Sequence, residues 1–340
     1  MIINIACSTD SNYVQHCMAM LCSLLENNKC HDIHVHLFGD NLSTETKSLL
    51  TQLVQRYNQT YEFYTIDNKL LKGTRHNHSD RFPLAAYYRL LFPSVISEKI
   101  HKLLYLDCDA IIMGDIKPLV EIDLQGYALA ATPDNYPDSD KRHEMGLQVS
   151  DRTFCSGVML INLDYWRVHN SQLYLIKYLH EHSDTILPDQ EALNSVFRGQ
   201  WFMLPPKWSR PPCAIGFLQQ GMKQFDQEEY AFNPQIFHYS SFFLKPWYDI
   251  AFPGQELYWR YIEKSGFSFS KVTKISIRHK VKAYSIVSRY YFSKYVYPLI
   301  PEVIEIPCRD TLFIIRSIIE FSQSLHAKRI MMHRWIKKHH

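Results

Sequence analysis

An alternation of strand-like and helix-like patterns over the first 67 residues most constrains what this chain can fold into. Apolar residues alternate with histidines in "DIHVHLFGD" (32–40), and two further strands are predicted at 1–7 and 61–67. The segments 13–27 and 43–57 repeat apolar residues every three or four positions, which predicts two helices with one buried face each. This β-α-β-α-β order predicts an α/β fold, a doubly wound, mostly parallel sheet flanked by helices.

The same periodicities continue to about residue 206, without an internal repeat or a low-complexity tract. Ligands of parallel α/β sheets bind beyond the carboxyl ends of the strands, where Asp10, Asp107 and Asp109 are expected to lie. The predicted elements are helices at 83–96, 164–182 and 189–197, and strands at 102–107, 127–134, 154–163 and 200–206.

Two acids stand one residue apart in "KLLYLDCDAIIMGDIKPL" (102–119), where an apolar strand ends. Side chains i and i+2 of a strand face the same way, and two carboxylates about 4 Å apart repel by roughly 4 kcal/mol at an effective dielectric constant near 20. A shared proton or a divalent cation would offset the repulsion between Asp107 and Asp109, and a plain strand-end turn is the alternative. A second Asp-x-Asp, Asp138 and Asp140, lies in a Pro-bearing polar stretch that predicts a solvated loop.

The cysteines and the apolar runs exclude several classes of protein. The eight cysteines form no CxxC pair and no zinc-finger spacing with histidine, so reduced thiols in the cytosol are expected. The segment "MIINIACSTD" (1–10) has no basic region and too short an apolar run for a signal peptide. No run of about 18 apolar residues predicts a membrane-spanning helix.

The net charge of +3 hides an asymmetry between the two ends of the chain. Residues 271–340 hold 14 Lys and Arg against 4 Asp and Glu, whereas residues 1–270 hold 23 against 30. The sequence therefore predicts two regions, an acidic α/β domain at 1–270 and a basic, aromatic C-terminal helical appendage at 271–340. This composition favours contact with an anionic membrane surface. A helical cap on the domain is the alternative, and nucleic acid is not favoured because no nucleic-acid motif accompanies the charge.

Several motifs in order resemble the retaining glycosyltransferases of family 8, especially bacterial lipopolysaccharide hexosyltransferases. They are "LLYLDCD" (103–109), "FCSGVMLINLDYW" (154–166), "LPDQEALN" (187–194) and "HYSSFFLKPW" (238–247), preceded by "TDSNY" (9–13). The resemblance covers roughly residues 1–250 and implies a GT-A fold. It also implies transfer of a hexose from a UDP-sugar with retention at the anomeric carbon.

The resemblance implies a metal site and a diphosphate contact. Asp107, Asp109 and His238 match the family's metal ligands, with Asp107 also near the ribose. A satisfied histidine among aromatic residues is the alternative for His238. Oxygen ligands suit Mn²⁺ or Mg²⁺, and a single imidazole favours Mn²⁺, with Mg²⁺ as the alternative. Lys245 matches the lysine that contacts the diphosphate; a surface lysine is the alternative.

The resemblance places the uridine at the end of the first predicted strand. Asp10 would accept a hydrogen bond from the uracil N–H, Asn12 would contact the ribose, and Tyr13 would stack on the base. Asp and Asn also cap helices well, so capping of the helix that follows is an alternative for Asp10 and Asn12. Binding and capping are compatible with each other.

Four further residues match the family's donor-sugar and reacting positions. Arg89 matches an arginine near the donor sugar, and Asp134 matches an acid that touches donor or acceptor. Asp189 would hold a sugar hydroxyl and Gln190 would lie close to the anomeric carbon; these two are the predicted catalytic residues. Capping of the helix that follows it is the alternative for Asp189. Since Gln190 is a weak nucleophile, front-face attack is favoured over double displacement.

The sequence departs from the family pattern at two points. Cys155 stands where the family usually has Asn, and a thiol is a poor hydrogen-bonding substitute for an amide at a predicted donor-sugar contact. Lys245 follows His238 by seven residues instead of six, and Ser241 replaces a glycine that permits positive φ. The choice of hexose and the assignment of Lys245 depend on these changes.

The sequence as a whole predicts a Mn²⁺-dependent UDP-hexose transferase that acts on a growing surface glycan or glycolipid, such as the lipopolysaccharide core. It is expected in the cytoplasm, peripheral on the inner face of the cell membrane. One alternative is a non-catalytic sugar-nucleotide-binding protein of the same fold. Another is a nucleotidyltransferase or phosphohydrolase, which would release pyrophosphate or UMP instead of UDP.

Overall fold

A computed structural model describes residues 2–71, 74, 83–134, 139–148, 150–182, 187–210, 213, 234–267 and 272–291. The amino-terminal part has the predicted order of elements. Strands β1 (Ile3–Asp10), β2 (Ile33–Asp40) and β3 (Thr60–Tyr64) alternate with helices α1 (Val14–Asn27) and α2 (Thr44–Arg56).

The central part of the chain adds shorter elements around the end of the fourth strand. The segment Leu84–Leu91 is a 3₁₀ helix, where the periodicity predicted an α-helix. Arg89 lies in the last turn of this 3₁₀ helix. Pro93 lies in the first turn of the short helix that follows. The elements that follow are α3 (Phe92–Val95), β4 (Lys102–Leu106), β5 (Ala110–Ile112), α4 (Lys117–Val120), β6 (Leu129–Asp134) and α5 (Ser139–Glu144).

The remaining elements complete the sheet and its second layer of helices. The helix predicted at 164–182 is broken at Asn170, which has a positive φ that Asn tolerates better than most residues. The elements are β7 (Thr153–Asn162), α6 (Leu163–Val168), α7 (Ser171–Glu181), α8 (Pro188–Val196), β8 (Trp201–Met203), β9 (Ile236–His238), α9 (Gln255–Ser265) and α10 (Ile277–Tyr291).

Seven strands form one mixed sheet in the order β3-β2-β1-β4-β7-β6-β8. All neighbours are parallel except β7, which runs antiparallel to both β4 and β6. Strands β5 and β9 form a separate antiparallel pair next to the end of β4. Strand order reverses at β1 and β4, whose carboxyl ends carry Asp10 and Asp107, so the sheet places these acids at the edge where α/β ligands bind.

The core lies on both faces of the sheet. One face packs Ile5, Val35 and Leu104 against α1 and the helices beside it, α2 and α9. The opposite face packs Phe38 and Tyr105 against the 3₁₀ segment and the layer of α6, α7 and α8. Because both faces are covered, the strand ends are the sheet's open edge for a ligand.

Helix α10 is the described part of the basic C-terminal region. Its Ala283 and Val287 are buried, and Lys280 Nζ lies 2.6 Å from Asp249 Oδ2. Within the described residues, no helix has the length and apolar content to cross a bilayer. The predictions for residues 292–340 lie outside the described residues.

Candidate active site

Asp107, Asp109 and His238 meet at the end of β4. Ala110 of β5 pairs with His238 of β9, which brings the imidazole next to Asp109. His238 Nε2 lies 3.2 Å from Asp109 Oδ1 and 3.8 Å from Asp107 Oδ2. One ligand atom from each of the three residues lies within 4.8 Å of the others, so they can hold one cation together.

The His238 imidazole is turned so that Nε2 faces the two acids. Ser209 Oγ lies 3.0 Å from Nδ1 on the opposite side of the ring, and Cys155 Sγ lies 3.7 Å from the same nitrogen. A hydrogen bond from a ring N–H to an outer partner fixes the tautomer of a metal-binding histidine. Ser209 therefore holds His238 in an orientation that suits a metal ligand, and the same contacts fit the alternative of a satisfied histidine.

Gly157 leaves the space in which a cation would fit. A Cβ at this position would lie 2.5 Å from His238 Nε2 and 2.6 Å from Asp107 Oδ2. The Gly157 carbonyl accepts the Asp107 N–H at 2.8 Å, which holds the two segments together. Two carboxylates and one imidazole around a glycine-sized gap fit a divalent metal ion.

Lys245 is buried and pairs directly with one of the acids. Its Nζ donates to Asp109 Oδ2 at 2.6 Å and to the Tyr239 carbonyl at 2.6 Å. Burial raises the pKa of Asp109, but Lys245 and His238 outweigh this effect and hold the pKa below its ordinary value. The interpretation of Lys245 as a surface lysine is wrong, because the side chain is 11% exposed and belongs to the site.

Arg89 links Asp107 to the predicted reacting residues. One guanidinium nitrogen, Nη2, donates to Asp107 Oδ1 at 2.7 Å, and the Tyr105 hydroxyl donates to the same oxygen at 2.7 Å. The other, Nη1, lies 3.3 Å from Asp189 Oδ2 and donates to the Ser156 carbonyl at 3.0 Å. Asp107 and Asp189 therefore share one buried cation.

Gln190 and Asp189 lie in the first turn of α8 and face β7. Gln190 Oε1 accepts the Ser156 N–H at 3.1 Å, and its Nε2 donates to Asp134 Oδ2 at 3.1 Å. Burial raises the pKa of Asp189, and Arg89 partly opposes the shift. The N-cap of α8 is Leu187, so the alternative role of Asp189 as the cap of this helix is wrong.

Asn194 fixes the position of α8 against β7. Its Oδ1 accepts the Phe154 N–H at 2.8 Å, and its Nδ2 donates to the Phe154 carbonyl at 2.9 Å. One side chain thus satisfies both backbone groups of a strand residue next to Cys155. This contact sets where Asp189 and Gln190 point.

The predicted uridine residues lie beyond the end of β1. Asp10 Oδ1 accepts the backbone N–H groups of Asn12 at 2.9 Å and Tyr13 at 2.8 Å, which shapes the turn into α1. Asn12 is exposed, and Tyr13 packs edge-on against Trp247 with 5.9 Å between ring centroids. Burial and then the charge of Asp109 raise the pKa of Tyr13.

Direct contacts, with Ser156 between Arg89 and Gln190, connect most of the predicted residues, whereas Asp10 and Asn12 belong to the separate turn beyond β1. Ser156, Gly157, Ser209 and Asn194 are further members that sequence reasoning missed. A glycine inside the predicted strand "FCSGVMLINL" was the available signal for Gly157, because such glycines mark close approach. Ser156 and Asn194 lie inside two of the quoted motifs without a role predicted for them, and Ser209 lies in none. In the second Asp-x-Asp, Asp140 is in the short helix α5 instead of a loop, and Asp138 lies outside the described residues.

A mixed sheet with a carboxylate and imidazole metal site at its strand ends is the arrangement of GT-A glycosyltransferases. The sequence profile of glycosyl transferase family 8 matches residues 4–251. The chain belongs to this family and is a glycosyltransferase.

Curated relatives and solved structures agree with the family. The chain is 29% identical over 256 residues to General stress protein A of Bacillus subtilis, covering 72% of this chain and 87% of the relative. It is 27% identical over 298 residues to a lipopolysaccharide 1,2-glucosyltransferase of Escherichia coli, covering 84% of each. The galactosyltransferase LgtC, solved with donor and acceptor sugar analogues, superposes with a TM-score of 0.68 at 20% identity over 83% of this chain and 100% of its own.

Proposed function

We propose that the protein is a retaining hexosyltransferase that moves glucose or galactose from a UDP-sugar to a hydroxyl of a growing surface glycan, such as the lipopolysaccharide core. The observation that carries the proposal is the ligand set of Asp107, Asp109 and His238, joined through Arg89 to Asp189. The Escherichia coli relative is a lipopolysaccharide glucosyltransferase, which supports this class of acceptor.

The three ligands would hold Mn²⁺, with Mg²⁺ as the second candidate. A bound cation supplies Lewis-acid stabilisation to a diphosphate leaving group. Lys245 carries a positive charge beside the same ligands and would contact the diphosphate when the donor binds. Asp10, Asn12 and Tyr13 would bind the uridine at the adjacent strand end.

The reacting face favours front-face transfer over double displacement. Both amide atoms of Gln190 and the Asp189 carboxylate already have hydrogen-bond or ionic partners, so neither presents a free nucleophile. In front-face transfer, the acceptor oxygen forms the new bond at C1 as the bond to the phosphate breaks. The leaving phosphate oxygen takes the acceptor's proton. A covalent hexosyl adduct trapped on Asp189 would contradict this mechanism.

Two residues would set the choice of hexose. Asp134 fixes the Gln190 amide, and Cys155, next in the chain to the Ser156 that donates to Gln190, has its Sγ 3.7 Å from His238 Nδ1. A thiol offers a sugar hydroxyl a weaker hydrogen bond than an amide does. Replacing Cys155 with Asn is therefore expected to change the ratio of glucose to galactose transfer.

Helix α10 supports contact with an anionic membrane. Its outer face exposes Ile277 and Val281, at 82% and 63%, with the exposed cations Arg278 and Arg289, and Lys274 is exposed just before the helix. Its inner face packs on the domain, as the helical-cap interpretation expects. Apolar and basic residues on one exposed face suit the surface of a bilayer. We place the enzyme on the inner face of the cell membrane, where it would meet a lipid-linked acceptor.

A panel of thermal melts tests the donor and the metal together. UDP, GDP, CMP and ADP would each be added with and without Mn²⁺, to wild type and to Asp107→Ala/Asp109→Ala. Ligand at 100 times its Kd adds about 2.7 kcal/mol, which raises the melting temperature by a few degrees. We expect the melting temperature of wild type to rise only when UDP and Mn²⁺ are added together. The melting temperature of Asp107→Ala/Asp109→Ala should not rise.

The other outcomes separate the alternatives. A UDP shift that survives in Asp107→Ala/Asp109→Ala would show that these acids do not hold the metal and nucleotide. Binding of UDP-hexose without transfer of the hexose to any acceptor and without release of UDP would favour a non-catalytic sugar-nucleotide-binding protein. Release of UMP or pyrophosphate would indicate a phosphohydrolase or nucleotidyltransferase. A variant with Asp115→Ala/Asp164→Ala, two acids elsewhere on the surface, is the matched control.

A further inference from the structure

A second cluster of metal-ligating side chains lies on the sheet, apart from the active site. His34 and His36 of β2 project from the same face, because they are two residues apart on a strand. Glu62 of the edge strand β3 stands directly opposite His36 in the parallel register. One ligand atom from each of the three residues lies within 4.8 Å of the others.

The cluster is distinct from the strand-end site. His34 pairs in register with Asn4, near the beginning of β1, whereas the proposed active site lies beyond the carboxyl ends of β1 and β4. His34 is half-buried and Glu62 is exposed, so an ion can reach the cluster from solvent. His36 is buried beneath them.

The hydrogen bonds around His36 leave one ring nitrogen as an acceptor. The Tyr64 hydroxyl donates its single proton to Glu62 Oε2 at 2.6 Å. His36 Nδ1, 2.9 Å from the same hydroxyl, must then donate to it, so Nε2 carries the lone pair. Burial and then His34 lower the pKa of His36 to about 4, which agrees with a neutral ring. The Asn4 carboxamide oxygen Oδ1, which lies 3.2 Å from Nε2, can only accept hydrogen bonds, so it leaves the Nε2 lone pair for an ion.

His34 is held in a similar way. Its Nδ1 lies 2.8 Å from Thr60 Oγ1, which leaves Nε2 for another partner. The rings of His34 and His36 meet edge to face, with 4.7 Å between centroids. Both imidazoles therefore have an outer partner on Nδ1, the arrangement that orients metal-binding histidines in proteins.

We propose that His34, His36 and Glu62 form a second, surface metal site for a transition-metal ion, with Zn²⁺ as the occupant. Two imidazoles and one carboxylate are a zinc ligand set, and water completes the tetrahedron. The ligand set disfavours Mg²⁺, which prefers oxygen. Because the ligands come from two neighbouring strands, the ion would tie the edge strand β3 to β2.

Zinc titration of the full-length, metal-free protein tests the site. Calorimetry would count the ions bound by wild type and by His34→Gln/Glu62→Gln, which leaves the buried His36 in place. His101→Gln/Asp164→Asn is the matched control, since this exposed pair also joins one imidazole to one carboxylate, at 2.9 Å. We expect the site variant to bind one fewer Zn²⁺ than wild type and the control to bind the same number.

Two further measurements keep the result independent of the strand-end site. In a tenfold excess of Mg²⁺ over Zn²⁺, wild type should still bind one Zn²⁺ more than the site variant does. Circular dichroism without metal should be the same for wild type and both variants, and Zn²⁺ should raise the melting temperature of the site variant less than that of wild type. Equal zinc stoichiometry in wild type and the site variant, or an equal loss in the control, would overturn the proposal.

Discussion

The Lys245 ammonium neutralises Asp109 inside the candidate metal site, so the lysine and a metal ion compete for the same carboxylate. Replacing Lys245 with Met removes the competitor. Since a charge-assisted hydrogen bond contributes about 1.5–3 kcal/mol, Mn²⁺ should bind the nucleotide-free variant about 10- to 150-fold more tightly. UDP should bind the variant more weakly, because the positive charge beside the diphosphate is lost.

Stability without metal gives the control for this prediction. Breaking a buried ion pair leaves Asp109 with one partner fewer, which should lower the free energy of unfolding by roughly 3 kcal/mol. Lys264→Met removes an exposed pair with Glu26 and should cost less than about 1 kcal/mol. Unfolding in denaturant and calorimetry with Mn²⁺ measure both effects. Unchanged or weaker Mn²⁺ binding to Lys245→Met would contradict the competition.

Gly157 provides a second test at the level of one residue. The methyl group of Gly157→Ala would meet His238 and Asp107, so Mn²⁺ binding should fall at least tenfold. Gly126→Ala is the control: its φ of +75° costs a side chain about 1–2 kcal/mol, but no atom lies near its Cβ. Calorimetry should show normal Mn²⁺ binding by the control despite its lower stability. Normal binding by Gly157→Ala would mean that the metal lies elsewhere.

At the scale of elements, Asn194 couples helix α8 to strand β7. Asn194→Ala leaves the buried N–H and C=O of Phe154 without this partner, at about 1–3 kcal/mol for each group. The free energy of unfolding should fall by about 2–6 kcal/mol. Transferase activity in the remaining folded protein should also fall, because α8 carries Asp189 and Gln190. The exposed Gln52→Ala on α2 should change neither quantity.

The sequence predicted long, periodic elements well and short ones poorly. The apolar face of α1 and the alternation in β2 follow directly from burial, so their positions could be predicted from spacing. The pairing of β5 with β9 could not, because three-residue strands carry too little periodicity and the paired residues Ala110 and His238 are 128 residues apart.

The candidate site shows the same division. Asp107 and Asp109 were marked by their position at the end of an apolar strand. Ser209 was not marked in this way, because its role comes only from the 3.0 Å contact between its Oγ and His238 Nδ1. This contact depends on tertiary structure and cannot be predicted from a sequence pattern. The pairing of Lys245 with Asp109 also depends on tertiary structure. Motifs thus locate the candidate metal ligands in the sequence, whereas the residues that orient them can be identified only in the folded structure.

At the scale of the whole molecule, His16 of α1 links the amino-terminal strands to the C-terminal helices. Its ring stacks on Trp247 with 3.5 Å between centroids, and Nδ1 lies 2.7 Å from the Tyr258 hydroxyl of α9. Burial lowers the pKa of His16 to about 3. Between pH 3 and the unfolded pKa near 6.5, the unfolded chain binds more protons, so stability falls as the pH falls.

This histidine should therefore contribute about 1.4 kcal/mol of pH-dependent stability for each pH unit below 6.5, in metal-free buffer. Denaturant unfolding between pH 7 and pH 5 measures the slope. His16→Asn should be less stable at pH 7 and have a flatter profile, whereas His101→Gln, which removes an exposed ring, should keep the wild-type slope. An unchanged slope in His16→Asn would show that His16 does not cause the dependence.

The placement of the charges over the whole molecule leads to a prediction about membranes. Helix α10 exposes Arg278 and Arg289 to solvent, and Lys274 is exposed in the segment just before the helix. Each cation near an anionic bilayer contributes about 1 kcal/mol. Replacing all three with Gln should weaken binding to vesicles of phosphatidylglycerol and phosphatidylethanolamine about 150-fold, as measured by co-sedimentation. The same change at Lys29, Lys99 and Lys177, exposed on the domain, should have little effect. Equal losses in both variants, or equal binding to neutral vesicles, would show that net charge or apolar surface, and not this helix face, determines where the protein binds.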